Sequence, residues 1–164
     1  VTDLPDPYFI ALAILHHCFA ENDIRYQLTG GMAARLYGSS RALNDIDIEV
    51  NERDIERVQI ALAEYVTKGL YRLIDDSFDI WMMTLNIDGT PVDISQAAPI
   101  LLRGVVGSWQ RFDAHIENSK IINVRGIPIS VVELDGLLSY KTVLGRSVDL
   151  EDTKKLGSYG ASRG

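Results

Sequence analysis

Two rhythms of apolar and polar positions run along the chain, and each predicts its own kind of element. From Tyr8 to Glu21, Phe9, Ala13, Leu15 and Phe19 fall near helical spacing, which predicts a helix ended by Asn22 and Asp23. Ile24–Thr29 reads as a short strand. A glycine pair follows at once, and then a helix-prone run from Met32 to Tyr37. Asp45–Val50 alternates strictly, with Asp45, Asp47 and Glu49 on one face and Ile46, Ile48 and Val50 on the other. Asn51 is placed to cap a helix over Asp54–Val66, whose acidic start (Glu52, Asp54) suits the helix dipole. Leu70–Ile74 and Phe78–Ile87 read as strands, and Asp88-Gly89 as the hairpin turn into a strand over Pro91–Ser95. Within the longer strand Trp81 and Met83 alternate with Ile80 and Met82, so parts of both its faces are expected to be covered.

Beyond the hairpin the pattern predicts a short helix over Ala97–Gly104 and a loop through Gly107 to Trp109. Short strands are expected at Arg111–Glu117, Ile121–Val124 and Ile127–Val131, the last two joined by a turn at Gly126-Ile127-Pro128. Val132–Gly145 and a segment starting near Val148 read as two helices, and Gly157–Gly164 as a fraying tail. The fold class is therefore α/β (α+β): a mixed, twisted sheet with helices on one side. One domain is expected over 1–164, with an N-terminal helix (1–23), an α/β core (24–131) and C-terminal helices (132–157).

Composition narrows the chemistry. Hydrophobic residues make up 46% and charged residues 24% of the chain, enough for a buried core without covalent staples. One cysteine and three histidines exclude a Cys/His zinc cluster. Cys18, on an apolar helix, is expected to be buried and inert, and His16 and His17 to lie on the surface or core edge of that helix. With no disulfide available, a cytoplasmic location is expected. No apolar run reaches membrane-span length and no signal peptide is read, while Val1 suggests that an initiating residue or a tag has been removed. The net charge of −7 argues against a broad electrostatic footprint on nucleic acid, though not against local contact with an RNA end. Trp81, Met82 and Met83 read either as core or as an exposed patch for self-association.

The chemistry concentrates in Tyr26–Val50. Gly30 and Gly31 let the backbone turn sharply into a helix, whose N-terminal N–H groups and dipole favour an anion such as phosphate. Asp45 and Asp47, one residue apart on one strand face, offer hard oxygen ligands suited to Mg²⁺. A lone Gly-Gly is commonly just a turn, and a lone Asp-x-Asp a solvated face. In this order they form a phosphate cradle followed by a metal-binding carboxylate pair, which is what nucleotidyl transfer requires.

On these residues the sequence resembles the nucleotidyltransferase superfamily, the DNA polymerase β-like fold. The stretch TGGMAARLYGSSRALNDIDI is most similar to small prokaryotic stand-alone members, namely antibiotic nucleotidyltransferases and the nucleotidyltransferase toxins of toxin–antitoxin systems. Arg41 stands where these often carry an arginine, and Asn44 replaces a frequent threonine. The resemblance makes Asp93 a third catalytic carboxylate on the neighbouring strand; its plain alternative is a surface aspartate at a strand end. A second resemblance lies in K-x-x-x-G-R-x-x-D-x-x-D, here Lys141, Gly145, Arg146, Asp149 and Asp152. Lys141 and Arg146 read as phosphate contacts, or Arg146, Asp149 and Asp152 as a helix cap with ion pairs.

The resemblance implies Mg²⁺-dependent transfer of a nucleoside monophosphate from an NTP such as ATP to a hydroxyl, with release of pyrophosphate. Asp45, Asp47 and Asp93 would hold two Mg²⁺ ions, with Mn²⁺ as a substitute. Gly30, Gly31, Arg41, Lys141 and Arg146 would bind the nucleotide, and the C-terminal helical pair would close the cleft. The acceptor is left open among a small hydroxylated molecule such as an antibiotic, a tRNA 3′ end and a protein hydroxyl. An antitoxin-like protein or a second copy of the chain is the implied partner, and no membrane. The contrasting reading is a catalytically silent module of the same fold that binds nucleotide or a partner.

Overall fold

The computed structural model describes residues 4–161, with side chains through Gly157. Helix α1 (Asp6–Glu21) buries Ala11, Leu12, Leu15 and Phe19 along one stripe. It lies against a mixed sheet of nine strands. Strand β1 (Tyr26–Thr29) runs straight into the short helix α2 (Gly30–Leu36). Strand β2 (Ile46–Val50) pairs antiparallel to β1, and β5 (Thr90–Gln96) pairs parallel to β2 on its other side. The β4–β5 hairpin (β4, Phe78–Ile87) turns at Asp88-Gly89, and β3 (Val66–Ile74) pairs with β4. Helix α3 (Ile55–Ala61) precedes β3.

The period-2 alternation of β2 decides the layering. Ile46, Ile48 and Val50 enter a core with α1, α2 and α3, together with Leu28, Val92 and Ile94 from the neighbouring strands. Cross-strand partners share a face, so Gln27, Thr29, Asp47, Glu49, Asp93 and Ser95 form the opposite, polar face. The C-terminal helices α4 (Leu134–Leu144) and α5 (Ser147–Ala161) bound that face. A second apolar cluster of Ile80, Ile100, Leu102 and Leu144 lies at the same end.

Several expectations are corrected. Ala97–Gly104 is not a helix. Pro99 interrupts it, and Ile100–Leu102 forms strand β6, paired with Phe78 and Asp79 where β5 has left β4. The helix expected over Asp54–Val66 is α3 flanked by two 3₁₀ turns, Asn51 makes no side-chain cap, and β-branched Val66 and Thr67 already belong to β3. Arg111–Glu117 keeps strand geometry only in β7 (Gln110–Phe112), because Ile116–Asn118 coils into a 3₁₀ turn. Strands β8 (Lys120–Val124) and β9 (Ile127–Val131) follow as expected, β9 lying parallel to β1. Helix α5 continues to Ala161, past the expected fraying at Gly157, and the last three residues of that tail lie outside the described residues. Cys18 is half-buried rather than fully buried. His16, half-buried, lies 3.1 Å from the Tyr26 hydroxyl at the core edge, and exposed His17 pairs with Glu21 on the α1 surface, the two placements expected. Among the described residues no helix is long and apolar enough to cross a membrane.

Candidate active site

Strand register brings the three aspartates together. Asp47 on β2 stands directly beside Asp93 on β5, and Asp45 immediately precedes β2. One carboxylate oxygen from each lies within 4.8 Å of the others. Among the described residues no ion pair neutralises the three, although the Arg146 guanidinium feels the charge of Asp47. Burial pushes the Asp47 carboxyl up to about 7, and the charges of Asp45, Asp93 and Glu49 add to the push against a hydrogen bond from the Gly31 N–H. Burial, and then the charge of Asp45, raises Asp93 to about 6. A cluster of hard oxygen donors that repel one another is the donor set a divalent cation relieves, so the residues present fit a metal ion.

The glycine pair serves this cluster by its lack of side chains. Gly30 has a φ of +64°, and a Cβ there would come 1.8 Å from Asp47 Oδ2. At Gly31 a Cβ would come 2.6 Å from Nη2 of Arg41. The clearance read from the sequence as room for a phosphate is thus shared with two of the protein's own groups, a carboxylate against Gly30 and a guanidinium against Gly31.

The C-terminal motif closes onto the same place from α4 and α5. Asp149 and Asp152 are fully buried. Arg146 clasps Asp149 through Nε at 2.7 Å and Nη2 at 3.3 Å, and its backbone N–H donates to the same carboxylate at 3.2 Å. Burial acts to lower the Arg146 guanidinium, but the hydrogen bond and charge of Asp149 outweigh it and raise it. Lys141 is only 2% exposed, with Nζ 2.9 Å from Asp152 and 3.4 Å from Asp149. Asp152 also accepts a hydrogen bond from Ser39 Oγ at 2.8 Å and faces Arg41 Nε at 3.4 Å. Burial alone would raise Asp152, yet Lys141, Ser39 and Arg41 hold it below the usual carboxylate range. Its Oδ2 is met by charge rather than by an aligned hydrogen bond.

A cleft of about 320 Å³ unites these groups and is lined by Gly30, Gly31, Arg41, Lys141 and Arg146 as well as the three aspartates. The structure therefore brings the eight candidate metal- and nucleotide-binding residues to one cleft. It also adds some that were not singled out. Glu49 lines the floor, held by Gln27 Nε2 at 2.7 Å and pushed by burial up to about 7. Tyr140 lies half-buried beside the same cleft, and desolvation, followed by the charges of Glu49 and Asp47, raises its phenol well above the ordinary value. The alternation of β2 already placed Glu49 on the aspartate face, whereas nothing in the sequence marks Tyr140. The apolar wall of Leu73, Phe78, Ile80, Met82 and Ile100 was equally unmarked.

The fold recurs in known proteins. No curated protein sequence matches the chain. The fold is shared with a Thermotoga maritima protein assigned to the nucleotidyltransferases, at 21% identity and a TM-score of 0.76 over 94% of each chain. It is also shared with the lincosamide antibiotic adenylyltransferase LnuA in its lincomycin-bound form, at 19% identity and a TM-score of 0.61 over 97% of this chain and 99% of that one. The enzyme ANT(2″)-Ia in complex with adenylyl-2″-tobramycin matches at 14% identity and a TM-score of 0.60 over 94% and 90%. The model of the aminoglycoside-2″-adenylyltransferase family matches residues 11–156, nearly the whole chain. The chain belongs to that family of nucleotidyltransferases.

Proposed function

We propose that the cleft transfers a nucleoside monophosphate from an NTP, such as ATP, to a hydroxyl of a small molecule. The acceptor oxygen bonds to the α-phosphorus, the α–β phosphoanhydride breaks, and pyrophosphate leaves. Asp45, Asp47 and Asp93 would hold Mg²⁺ (two ions, with Mn²⁺ as a substitute), which when bound screens the triphosphate and acidifies the acceptor hydroxyl. Asp93, beside Asp47 on the neighbouring strand, is placed to take the hydroxyl proton as well. Arg41, over Gly31, and Arg146, at the α4–α5 junction, set positive charge against the phosphates. Lys141 acts from beneath them through Asp149 and Asp152. The observation that carries this reading is the convergence of three un-neutralised carboxylates within 4.8 Å in a cleft that Arg41 and Arg146 also line.

A small-molecule acceptor is preferred to a tRNA 3′ end or a protein hydroxyl. The net charge of −7 supplies no extended basic track, and the related structures carry lincomycin and an adenylylated tobramycin. The test is thermal unfolding with each NTP, with and without Mg²⁺, for the wild type and for Asp45→Asn, followed by labelled-NTP transfer. A Mg²⁺-dependent rise in midpoint that Asp45→Asn abolishes, and turnover that Asp47→Asn abolishes in a folded protein, are expected. No shift with any NTP would replace this reading with that of a silent binding module.

A further inference from the structure

The cleft is divided by polarity, and the division falls at Asp93. On one side lie Gly30, Gly31 and Arg41, and Arg146 reaches across from the α4–α5 junction to the ring of Phe78. On the other, every cleft-lining residue contributed by β3, β4 and β6 is apolar: Leu73, Phe78, Ile80, Met82 and Ile100. Strand register fixes this order. Reading across the polar face of the sheet, one row runs Thr29, Asp47, Asp93, Thr84, and the next runs Gln27, Glu49, Ser95, Met82, Tyr71, with Ile80 and Leu73 paired beyond it.

In-line displacement assigns the two sides. The leaving pyrophosphate and the entering hydroxyl stand on opposite sides of the α-phosphorus. A polyanionic leaving group belongs with Arg41 and the glycine turn, so the acceptor enters over Asp93 and rests on β4 and β3. Past the aspartate triad it meets no unpaired cleft-lining carboxylate among the described residues. Of the cleft-lining acids outside the aspartate triad, Glu49 is held by Gln27 and Asp149 by Arg146 and Lys141. A cation lies against the wall itself, for the Arg146 guanidinium is 5.5 Å from the ring centroid of Phe78.

We infer, resting on the transfer activity proposed above, that the wall of Leu73, Phe78, Ile80, Met82 and Ile100 selects the acceptor. The preferred acceptor presents its hydroxyl on an apolar face and carries at most one ammonium group. A polyammonium acceptor, the class that the family's name describes, gains no ion pair at this wall, loses hydration there and faces Arg146.

The test compares acceptor-dependent pyrophosphate release from Mg²⁺·NTP with lincomycin, which has one amine and an alkyl-bearing face, and with tobramycin, which is polyammonium. The NTP is whichever gives the largest rise in unfolding midpoint. A kcat/KM at least tenfold higher for lincomycin is expected. Leu73→Glu, on a half-buried strand position, should move that ratio at least tenfold towards tobramycin while the Mg²⁺·NTP midpoint rise stays as in the wild type. Three results overturn the inference: equal or better use of tobramycin by the wild type, no response to lincomycin, or loss of the NTP-dependent rise in Leu73→Glu. The last would assign the wall to the nucleobase. Absence of any Mg²⁺·NTP effect in the wild type would instead remove the underlying transfer reading.

Discussion

Lys141→Met separates a lysine that holds the cleft together from one that touches the nucleotide. The side chain is 2% exposed and lies between two fully buried carboxylates, 2.9 Å from Asp152 and 3.4 Å from Asp149. Methionine keeps the length and apolar stem but deletes the charge. Removing one partner of a buried ion pair costs about 3–5 kcal/mol, because the other charge is left uncompensated. Here the survivors keep company, Asp149 with Arg146 and Asp152 with Ser39 and Arg41, so the lower end, about 3 kcal/mol, applies. For a chain of this size each kcal/mol moves the midpoint by roughly 2–4 °C, so a drop of about 6–12 °C is expected. The assay is thermal unfolding without nucleotide, paired with steady-state KM for the NTP. Adding Asp152→Asn to Lys141→Met should recover part of the loss, since it removes the stranded charge. A midpoint within about 2 °C of the wild type, together with a sharply raised KM, would refute the strut and make Lys141 a phosphate ligand.

Gly30→Ala places a Cβ 1.8 Å from Asp47 Oδ2 and forces alanine to a φ of +64°. The left-handed backbone alone costs about 1–2 kcal/mol, and calorimetry should show Mg²⁺ binding lost along with that stability. The metal-free protein should lose stability as pH rises. Asp47 (about 7), Glu49 (about 7) and Asp93 (about 6) sit above their unfolded values, so between pH 4 and 7 the native state holds more protons than the unfolded state and the unfolding free energy falls with pH. The Mg²⁺-induced rise in midpoint should accordingly be larger at pH 8 than at pH 5.5, and the reverse order would contradict the assignment. Glu49→Gln removes one of these buried charges while leaving Gln27 a hydrogen-bond acceptor, so the metal-free midpoint at pH 8 should rise.

The parts of this molecule that could be read from the sequence are those fixed by local periodicity. Strict alternation in β2 put Asp47 and Glu49 on one face and Ile46 and Ile48 on the other. The Asp88-Gly89 turn set the hairpin that returns Asp93 beside Asp47. What could not be read depends on contacts distant in sequence. The apolar run Pro99–Leu102 is too short to declare a helix or a strand by periodicity, and pairing with Phe78 and Asp79 decides it. Likewise, Lys141, Arg146, Asp149 and Asp152 announced a charged motif without saying whether it faced a ligand or itself. That answer required the chain to bring Ser39 to Asp152, 113 residues away.

This long-range closure explains why so much charge is buried beside a cluster that already repels itself. The loop between α2 and β2 carries Arg41 and Asp45, and its backbone forms no regular ladder of its own. Asp152 ties it down through Ser39 and Arg41, Lys155 reaches Ser40 at 3.1 Å, and Arg35 donates to the Arg41 carbonyl at 3.1 Å. Through Lys141 and Asp149 the same network reaches Arg146 at the α4–α5 junction. The two arginines that line the cleft, Arg41 and Arg146, are thus positioned by acids that take no part in the aspartate cluster. Positive charge can then face an incoming polyanion while Arg41 and Arg146 make their ion pairs with Asp152 and Asp149 rather than with Asp45, Asp47 or Asp93. Two separate sets of acids, one paired internally and one left unpaired, hold the opposite charges of the cleft apart.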